Sequence, residues 1–203
     1  MRFRELYESD KGWPASLSKE HYDMWPILQK ECSDIIKVYN ESKKFLYRGF
    51  KSGRSNNFYF KGHARKDRLP LDTSIKVHKA IDKVLVDLDI PVLRSNSYFV
   101  IADKEKAHFY GKTYIIFPIN GYDYLWFKNS SDLFKVTNLI SIALSLSKTE
   151  SFKRIKEIIL NEKPTLNQDM PEAIKKVHEV MFTGSYYAVY PPYFDTYLRN
   201  KIF

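Results

Sequence analysis

The chain has 203 residues and carries 33 Lys and Arg against 24 Asp and Glu, a formal net charge of +9. Hydrophobic residues make up 44% and aromatic residues 16% of it, which excludes a disordered chain and predicts a single packed domain, residues 1–203. The lone Cys32 excludes an intramolecular disulfide framework. Because the N-terminal sequence has no apolar segment typical of a secretory signal and no run is long enough to span a bilayer, we expect a soluble cytoplasmic protein. Its positive charge favours anionic partners.

The hydrophobic pattern predicts helices and strands of unequal length. In chain order these are a helix from Asp23 to about Tyr39, a strand over 45–50, a loop over 51–70, a helix after the N-cap candidates Asp72, Thr73 and Ser74, a strand over 97–101, a short helix over 103–110, strands over 114–119 and 122–127, helices starting near Asp132 and Thr149, a loop over 161–171, and strands over 179–182 and 186–190. Asn120-Gly121 predicts a hairpin between the strands on either side. The mixture favours an α+β domain over a doubly wound sheet.

The strand over residues 45–50 carries one arginine, Arg48, followed by Gly49. A buried guanidinium costs free energy unless it is paired, and its fork of donors suits a phosphate or a carboxylate. Gly49 would allow a ligand to approach the backbone closely. An arginine that reaches water from the strand end explains the same residues without a ligand, and this segment alone favours that simpler interpretation.

The predicted loop 51–70 interleaves basic residues with aromatic residues at positions 58–60. Cations that neutralise phosphates, together with rings that stack on bases, are typical of nucleic-acid contacts. The alternative is a solvated loop whose aromatic residues fold onto the core. The predicted nucleic-acid contacts are Lys61, Arg65, Lys66 and Arg68.

Several common sites are missing from the sequence. It contains no Gly-rich dinucleotide fingerprint, no Walker-type loop, no His-Glu-x-x-His motif and no Gly-x-Ser-x-Gly motif. The five histidines show no metal-ligand spacing, and one cysteine cannot supply a thiolate cluster. We therefore expect no metal site.

Three short motifs occur in a definite order along the chain. They are Tyr47-Arg48-Gly49, then Ser95-Asn96-Ser97-Tyr98 with the short helix ending Ala107 to Tyr110, then Glu179-Val180-Met181-Phe182 before the turn 183–185. In order and spacing this set resembles the Arg-Ser-Glu class of ADP-ribosyltransferases, which includes arginine-modifying toxins and small bacteriophage enzymes that modify host proteins. The resemblance covers most of residues 45–190, and the small size and basic charge also fit a phage-type member.

The resemblance implies a fold and a reaction. The fold would be a mixed β-sheet core of two packed sheets with flanking helices over residues 45–190, preceded by a helical part over 1–44. The reaction would use NAD as a substrate and transfer ADP-ribose to a macromolecular acceptor, either nucleic acid or a host protein, in the host cytoplasm if the protein is viral.

The resemblance also implies roles for individual residues. Glu179 would stabilise the oxocarbenium-like transition state at the ribose, as a carboxylate does in glycoside hydrolysis. Arg48 would hold NAD, and Ser95 would orient Glu179 and the nicotinamide ribose. Tyr98 or Phe99 would pack on the nicotinamide ring. The implied cofactor-binding residues are Arg48, Gly49, Ser95, Ser97, Tyr98 and Phe99.

One position departs from the family pattern. Arginine-modifying members carry Glu-x-Glu, in which the first Glu helps to activate the acceptor, whereas this chain has Val177-His178-Glu179. Arginine is therefore not the expected acceptor. Two other classes stay open: a non-catalytic basic protein of viral or anti-defence type that binds nucleic acid or a host protein, and a nucleotide reader without turnover.

Overall fold

The computed structural model describes residues 23–51, 58–70 and 73–202. These residues form two compact units, each assembled from separate stretches of chain. The first unit takes the described residues up to His63, residues 100–122 and the described residues from Gly184 onward, and the second takes the described residues of 64–99 and 123–183. The boundaries predicted near residues 45 and 190 stay a prediction of the sequence.

Helices and strands alternate along the described chain, so the predicted mixed α+β class is confirmed. The helices are α1 (Trp25–Glu31), α2 (Ser33–Ser42), α3 (Ile75–Asp87), α4 (Lys104–His108), α5 (Thr137–Ala143), α6 (Lys148–Asn161), α7 (Met170–Lys175), α8 (Pro191–Tyr197) and α9 (Arg199–Ile202). The strands are β1 (Tyr47–Phe50), β2 (Tyr59–His63), β3 (Tyr98–Ile101), β4 (Lys112–Pro118), β5 (Tyr124–Phe127), β6 (Pro164–Leu166), β7 (Glu179–Phe182) and β8 (Ser185–Val189). Among these residues no helix is long and apolar enough to cross a membrane.

The first unit is built on the antiparallel series β2-β8-β4-β1. Its core is aromatic: Tyr39 of α2 meets Phe45 and Phe117 edge to face at ring-centroid distances of 5.0 and 5.5 Å. Phe194 of α8 completes the cluster at 4.7 Å from Phe45. The hydroxyl of buried Tyr39 donates to the Ile116 carbonyl, so its polar end is satisfied inside this core.

The second unit packs its helices around an aliphatic core. α3, α5 and α6 each turn one apolar stripe inward, as their three- and four-residue spacing predicts. Ser74 caps α3 as predicted, because its hydroxyl accepts the Val77 N–H at 3.3 Å. The principal buried side chains are Ile81, Leu85, Leu125, Ile140, Ile155 and Ile159.

The strands are hydrogen-bonded in the order β2-β8-β4-β1-β3-β7-β5-β6. Strand β3 is divided between the units, since Tyr98 and Phe99 belong to the second and Val100 and Ile101 to the first. The pairings with a known register are antiparallel. The described strands are ordered in one sheet, and the two packed sheets implied by the family resemblance are not confirmed.

The predicted hairpin at Asn120-Gly121 is wrong, because β4 pairs with β1 and β8 while β5 pairs with β6 and β7. The Asn120 side chain is instead held by the start of α2. Its oxygen accepts the Asp34 N–H at 3.2 Å, and its amide donates to the Ser33 hydroxyl at 2.9 Å. The chain passes from the first unit to the second at residues 122–123.

Other local predictions also differ from the structure. Two of the three aromatic residues predicted to lie in a loop, Tyr59 and Phe60, belong to β2, where they pair with β8. The predicted first helix is divided at Cys32, whose φ of −127° and ψ of 25° are not helical. The strand predicted over 186–190 is followed directly by α8, which begins with two prolines, since proline fits the first helical turn. Arg54 of the predicted basic loop and the N-cap candidate Asp72 lie outside the described residues.

Candidate functional site

Ser95 and Ser97 lie on a turn, residues 93–97, that leads into β3 in the second unit. The Asn96 side-chain oxygen accepts the Leu93 N–H at 2.8 Å, and the Ser97 hydroxyl donates to the Leu93 carbonyl at 2.5 Å. Ser97 is buried and its hydroxyl is used inside the turn. Its hydroxyl is therefore occupied within the turn, and the cofactor-binding role that the resemblance implies for Ser97 stays a prediction.

Helix α3 fixes the same turn from the other side. Asp82 accepts the Arg94 N–H at 2.7 Å with one carboxylate oxygen and the Ser95 N–H at 3.2 Å with the other. The Ser95 carbonyl in turn accepts the Arg68 N–H at 2.9 Å. Ser95 is thus held at both ends of its backbone, while its hydroxyl, on a half-buried residue, makes no hydrogen bond within the described chain. A hydroxyl held in this way is ready to meet a ligand.

Two arginines flank the ring of Phe99 at the start of β3. The Arg68 guanidinium carbon lies 4.1 Å from the ring centroid and the Arg94 carbon lies 5.5 Å from it. Arg94 is only 7% exposed, and its Nε atom has no hydrogen-bond partner in the described part of the chain. Burial lowers the pKa of Arg94, whereas the charges of Glu179, Asp82 and Asp132 raise it, so the guanidinium stays a cation held among acids.

Glu179 is the first residue of β7 and belongs to the same unit. Its N–H donates to the Ser131 carbonyl at 2.9 Å, which brings the start of β7 beside Asp132. Burial and the neighbouring Asp132 charge raise the pKa of Glu179 to about 8, against the opposing charges of Arg94 and Arg68. The residue is neither fully buried nor exposed. Glu179 therefore combines a carboxyl largely withdrawn from water with a residue surface that is still partly exposed.

The two residues just before Glu179 differ in their environments. His178 is 9% exposed, its Nδ1 lies 2.7 Å from the Phe127 carbonyl oxygen, and its ring meets Trp126 edge to face. It is a core histidine. Val177 has φ of 58°, a left-handed conformation that is costly for a β-branched residue. Strain of this kind is frequent beside functional sites.

His78 lies beneath the turn as an unexpected buried group. It is 2% exposed, its Nε2 lies 3.6 Å from Asp82, and neither ring nitrogen makes a hydrogen bond of good geometry in the described residues. Burial lowers the pKa of His78, and the neighbouring Asp82 charge only partly opposes this. The histidine is therefore neutral at physiological pH.

The two aromatic candidates differ in access. Tyr98 is 1% exposed and stacks on Phe182 at 5.6 Å with an interplanar angle of 11°. Its ring is thus part of the core, whereas Phe99 retains some exposed surface between the arginines. Of the two, Phe99 is the residue with a ring that a ligand could approach.

Arg48 and Gly49 belong to the first unit. The Arg48 guanidinium carbon lies 5.1 Å from the Phe50 ring centroid and 5.9 Å from that of Tyr186. A Cβ atom added at Gly49 would lie 2.1 Å from the Ala107 carbonyl oxygen, so the close approach that this glycine permits is made by α4. The roles of Arg48 and Gly49 in holding NAD stay predictions of the sequence.

The predicted nucleic-acid contacts are spread over both units. Lys61 lies 3.6 Å from Glu31 and 5.2 Å from the Tyr187 ring in the first unit. In the second, Arg65 pairs with Asp67 at 3.4 Å, Arg68 covers Phe99, and Lys66 is exposed. Three of the four cations thus have partners in the protein.

Asp82, Arg94 and Asp132 are members of the site that sequence reasoning missed. One signal was available, because His78 and Asp82 are polar residues four positions apart on a helix face that is otherwise apolar. Arg94 follows the apolar pair Val92-Leu93 directly, which also marks a buried charge. The effect of Asp132 on Glu179 carries no sequence signal, since it depends on the contact between β7 and the segment before α5.

Among the described residues, no three His, Cys, Asp or Glu side chains form a group that could hold a metal ion.

Comparison of the chain with protein-family models, with curated proteins and with solved structures finds no match.

Proposed function

We propose that this protein is an NAD-dependent ADP-ribosyltransferase that transfers ADP-ribose to a macromolecular acceptor, nucleic acid or a host protein. The observation that carries the proposal is the environment of the Glu179 carboxyl. Its carboxyl has a pKa of about 8, lies in the field of Arg94 and Arg68, and belongs to the same unit as the fixed turn that bears Ser95. Perturbed carboxyls of this kind are concentrated in active sites.

The proposed chemistry uses the second unit's residues at the nicotinamide ribose. The bond between the ribose carbon and the nicotinamide nitrogen breaks, and its electron pair leaves with neutral nicotinamide. Ionised Glu179 stabilises the positive charge that develops on the sugar, because an opposite charge in a site with little water interacts strongly. A nucleophile of the acceptor then bonds to the same carbon and loses its proton to solvent.

The remaining groups of the second unit have supporting roles in this scheme. The Ser95 hydroxyl orients the ribose, Phe99 contacts the nicotinamide with the part of its side chain that stays exposed, and Arg94 and Arg68 favour the ionised form of Glu179. A positively charged pyridinium near Glu179 would favour that form further, so substrate binding itself promotes ionisation. Arg48 keeps the NAD-holding role that the sequence predicts.

The experiment that tests this proposal is incubation of the purified protein with labelled NAD, alone and with cell lysate, DNA or RNA. We expect release of nicotinamide, or label on one acceptor pool, by wild type and loss of at least about 100-fold in Glu179→Gln. The matched control is Glu157→Gln, which changes an exposed glutamate paired with Arg154 at 3.1 Å. Wild-type turnover by Glu179→Gln, or no turnover and no NAD binding by wild type, would refute the proposal.

A second candidate function is a non-catalytic basic protein that binds nucleic acid. It is favoured by cations that lie over tyrosine rings in the first unit, where Lys112 is 4.0 Å from the Tyr190 centroid and Lys61 is 5.2 Å from that of Tyr187. The Lys112–Tyr190 pair offers a phosphate contact beside a partly exposed ring, whereas Tyr187 is buried and leaves Lys61 as a phosphate contact only.

This candidate makes a separate prediction. Affinity for single-stranded DNA or RNA should fall steeply with salt and should weaken when Lys61, Arg65 and Lys66 are neutralised together. The control is Lys37→Gln, which removes an exposed cation from α2. Absence of measurable affinity at low salt would exclude the nucleic-acid form of this candidate.

A further inference from the structure

Asp82 of α3 binds the turn that carries Ser95 through its side chain. Its two carboxylate oxygens accept the N–H groups of two consecutive residues, Arg94 at 2.7 Å and Ser95 at 3.2 Å. The side chain is only 13% exposed, so both bonds are sheltered from water. Charge-assisted bonds from a carboxylate to backbone N–H groups are among the stronger hydrogen bonds in proteins.

The position of Asp82 is itself well determined. It lies in the middle of α3, whose buried face includes Ile81 and Leu85 on either side of it. His78, one turn earlier, lies 3.6 Å from the carboxylate. Because α3 is anchored in the core of the second unit, the carboxylate has a fixed place from which to hold the turn.

The turn needs such an anchor because neither Arg94 nor Ser95 belongs to a helix or a strand. Their N–H groups have no ladder partner, and Asp82 takes the place of one. The opposite side of the turn is tied to Arg68, whose N–H and guanidinium donate to the carbonyls of Ser95 and Arg94 at 2.9 and 3.4 Å. Within the residues that the structure describes, the Ser95 hydroxyl makes no hydrogen bond.

We propose that Asp82 is the positioning residue of the site, and that its two hydrogen bonds to the turn 94–95 hold the Ser95 hydroxyl in the orientation needed to meet the substrate ribose. This inference rests on the proposed function for its catalytic consequence, but its structural part stands alone. Misplacement of a reacting or orienting group by about 1 Å lowers a rate by about 100-fold, so the loss of one anchor has a measurable effect.

The test combines Asp82→Asn, Ser95→Ala and the double variant. The Asn side chain has one carbonyl oxygen, so one of the two N–H groups loses its acceptor. We expect kcat for NAD cleavage to fall about 10- to 100-fold with KM within about threefold of wild type. If Asp82 acts through Ser95, the double variant is no slower than Ser95→Ala. The inference would be overturned if the loss of kcat in the double variant equalled the product of the losses in the two single variants, or if Asp82→Asn kept the wild-type rate.

The matched control is Asp87→Asn, on the same helix. Asp87 forms an exposed ion pair with Lys156 at 2.6 Å and makes no contact with the turn in the described structure. We expect kcat and KM of this variant to equal those of wild type. A loss as large as that of Asp82→Asn would show that any carboxylate of α3 has the same effect, and would overturn the assignment.

Hydrogen exchange rates of the Arg94 and Ser95 amides in the wild-type protein test the contact without any activity measurement and without relying on a variant. The Arg94 and Ser95 amides should exchange at least about 10-fold more slowly than those of the exposed bend at Lys66 and Asp67, and Asp82→Asn should accelerate them selectively. If wild type turns over no NAD but this protection is present, the proposed function fails and the positioning contact stands. If both amides exchange freely in wild type, the positioning inference fails whatever the activity.

Discussion

The ionisation of Glu179 makes a prediction about stability that does not depend on the proposed reaction. The folded protein holds this proton up to a pKa of about 8, whereas in the unfolded chain the carboxyl has its ordinary value of 4.5. Between these values the folded state binds more protons than the unfolded state. Glu179 therefore contributes stability that is fully present below pH 4.5 and is lost as the pH rises through about 8.

The size of the effect follows from this difference. Between the unfolded and the folded pKa, each unit of pH changes the free energy of unfolding by about 1.4 kcal/mol. Of the interval from pH 6.5 to pH 9.5, only the part below a pKa of about 8 contributes, so the total change is up to about 2 kcal/mol. Because Glu179 keeps part of its surface, solvent reduces this value, and we expect about 1–2 kcal/mol. In Glu179→Gln this contribution is absent, so the variant loses less stability over the interval and is more stable than wild type at pH 9.5.

The assay is urea denaturation of wild type, Glu179→Gln and Glu157→Gln at pH 6.5, 7.5, 8.5 and 9.5. The difference between two profiles removes the contribution of every other titrating group, including His78, whose lowered pKa acts below this range. The Glu157→Gln profile should run parallel to that of wild type. Parallel profiles of Glu179→Gln and wild type would show that Glu179 does not carry a raised pKa, and the argument from its burial would be refuted.

Three further predictions follow from the same structure. If ionised Glu179 is required for catalysis, kcat/KM for NAD should rise with pH to a plateau, with a midpoint near 8, and a profile that falls over this range would exclude that role. Gly49→Ala should lower the free energy of unfolding by about 1–3 kcal/mol, because the added Cβ would lie 2.1 Å from a carbonyl oxygen of α4. Gly121→Ala, where no atom lies within 4 Å and only the positive φ is unfavourable, should cost about 1–2 kcal/mol, and an equal or larger loss there would contradict the steric argument. Val177→Gly should change the free energy of unfolding by less than about 1 kcal/mol, because relief of the strained φ of 58° offsets the conformational entropy that glycine adds to the unfolded chain. Val86→Gly in the exposed part of α3 is the control and should lower the free energy of unfolding by about 1 kcal/mol in urea denaturation.

Sequence patterns over a few neighbouring residues were sufficient to predict individual helices, helix caps and strands. The spacing of Val77, Ile81, Val84 and Leu85, with Ser74 before them, was sufficient to predict α3 and its cap, because both depend on one turn of helix. The run of β-branched and aromatic residues likewise predicted β4. The same reasoning placed Glu179 at the start of β7, where the structure has it.

Long-range pairing was not available from these patterns. Asn120-Gly121 has the composition of a hairpin turn, but the Asn120 side chain binds the start of α2, and β4 and β5 take other partners. Strand pairing depends on which apolar faces meet in the folded chain, and no short segment encodes it. For the same reason the sequence predicted a loop where β2 pairs with β8.

The sequence by itself determined the mixed α+β class, the basic charge and the residues at which a site was sought, since these depend on composition and local spacing. The tertiary structure alone decided which other charged groups lie around those residues. It placed Asp82 against the turn of Ser95, Arg94 near Glu179, and Asp132 where its charge raises the pKa of Glu179. The physical reason is that burial and electrostatic interaction depend on distance in space, which residues far apart in the chain acquire only when the core has packed.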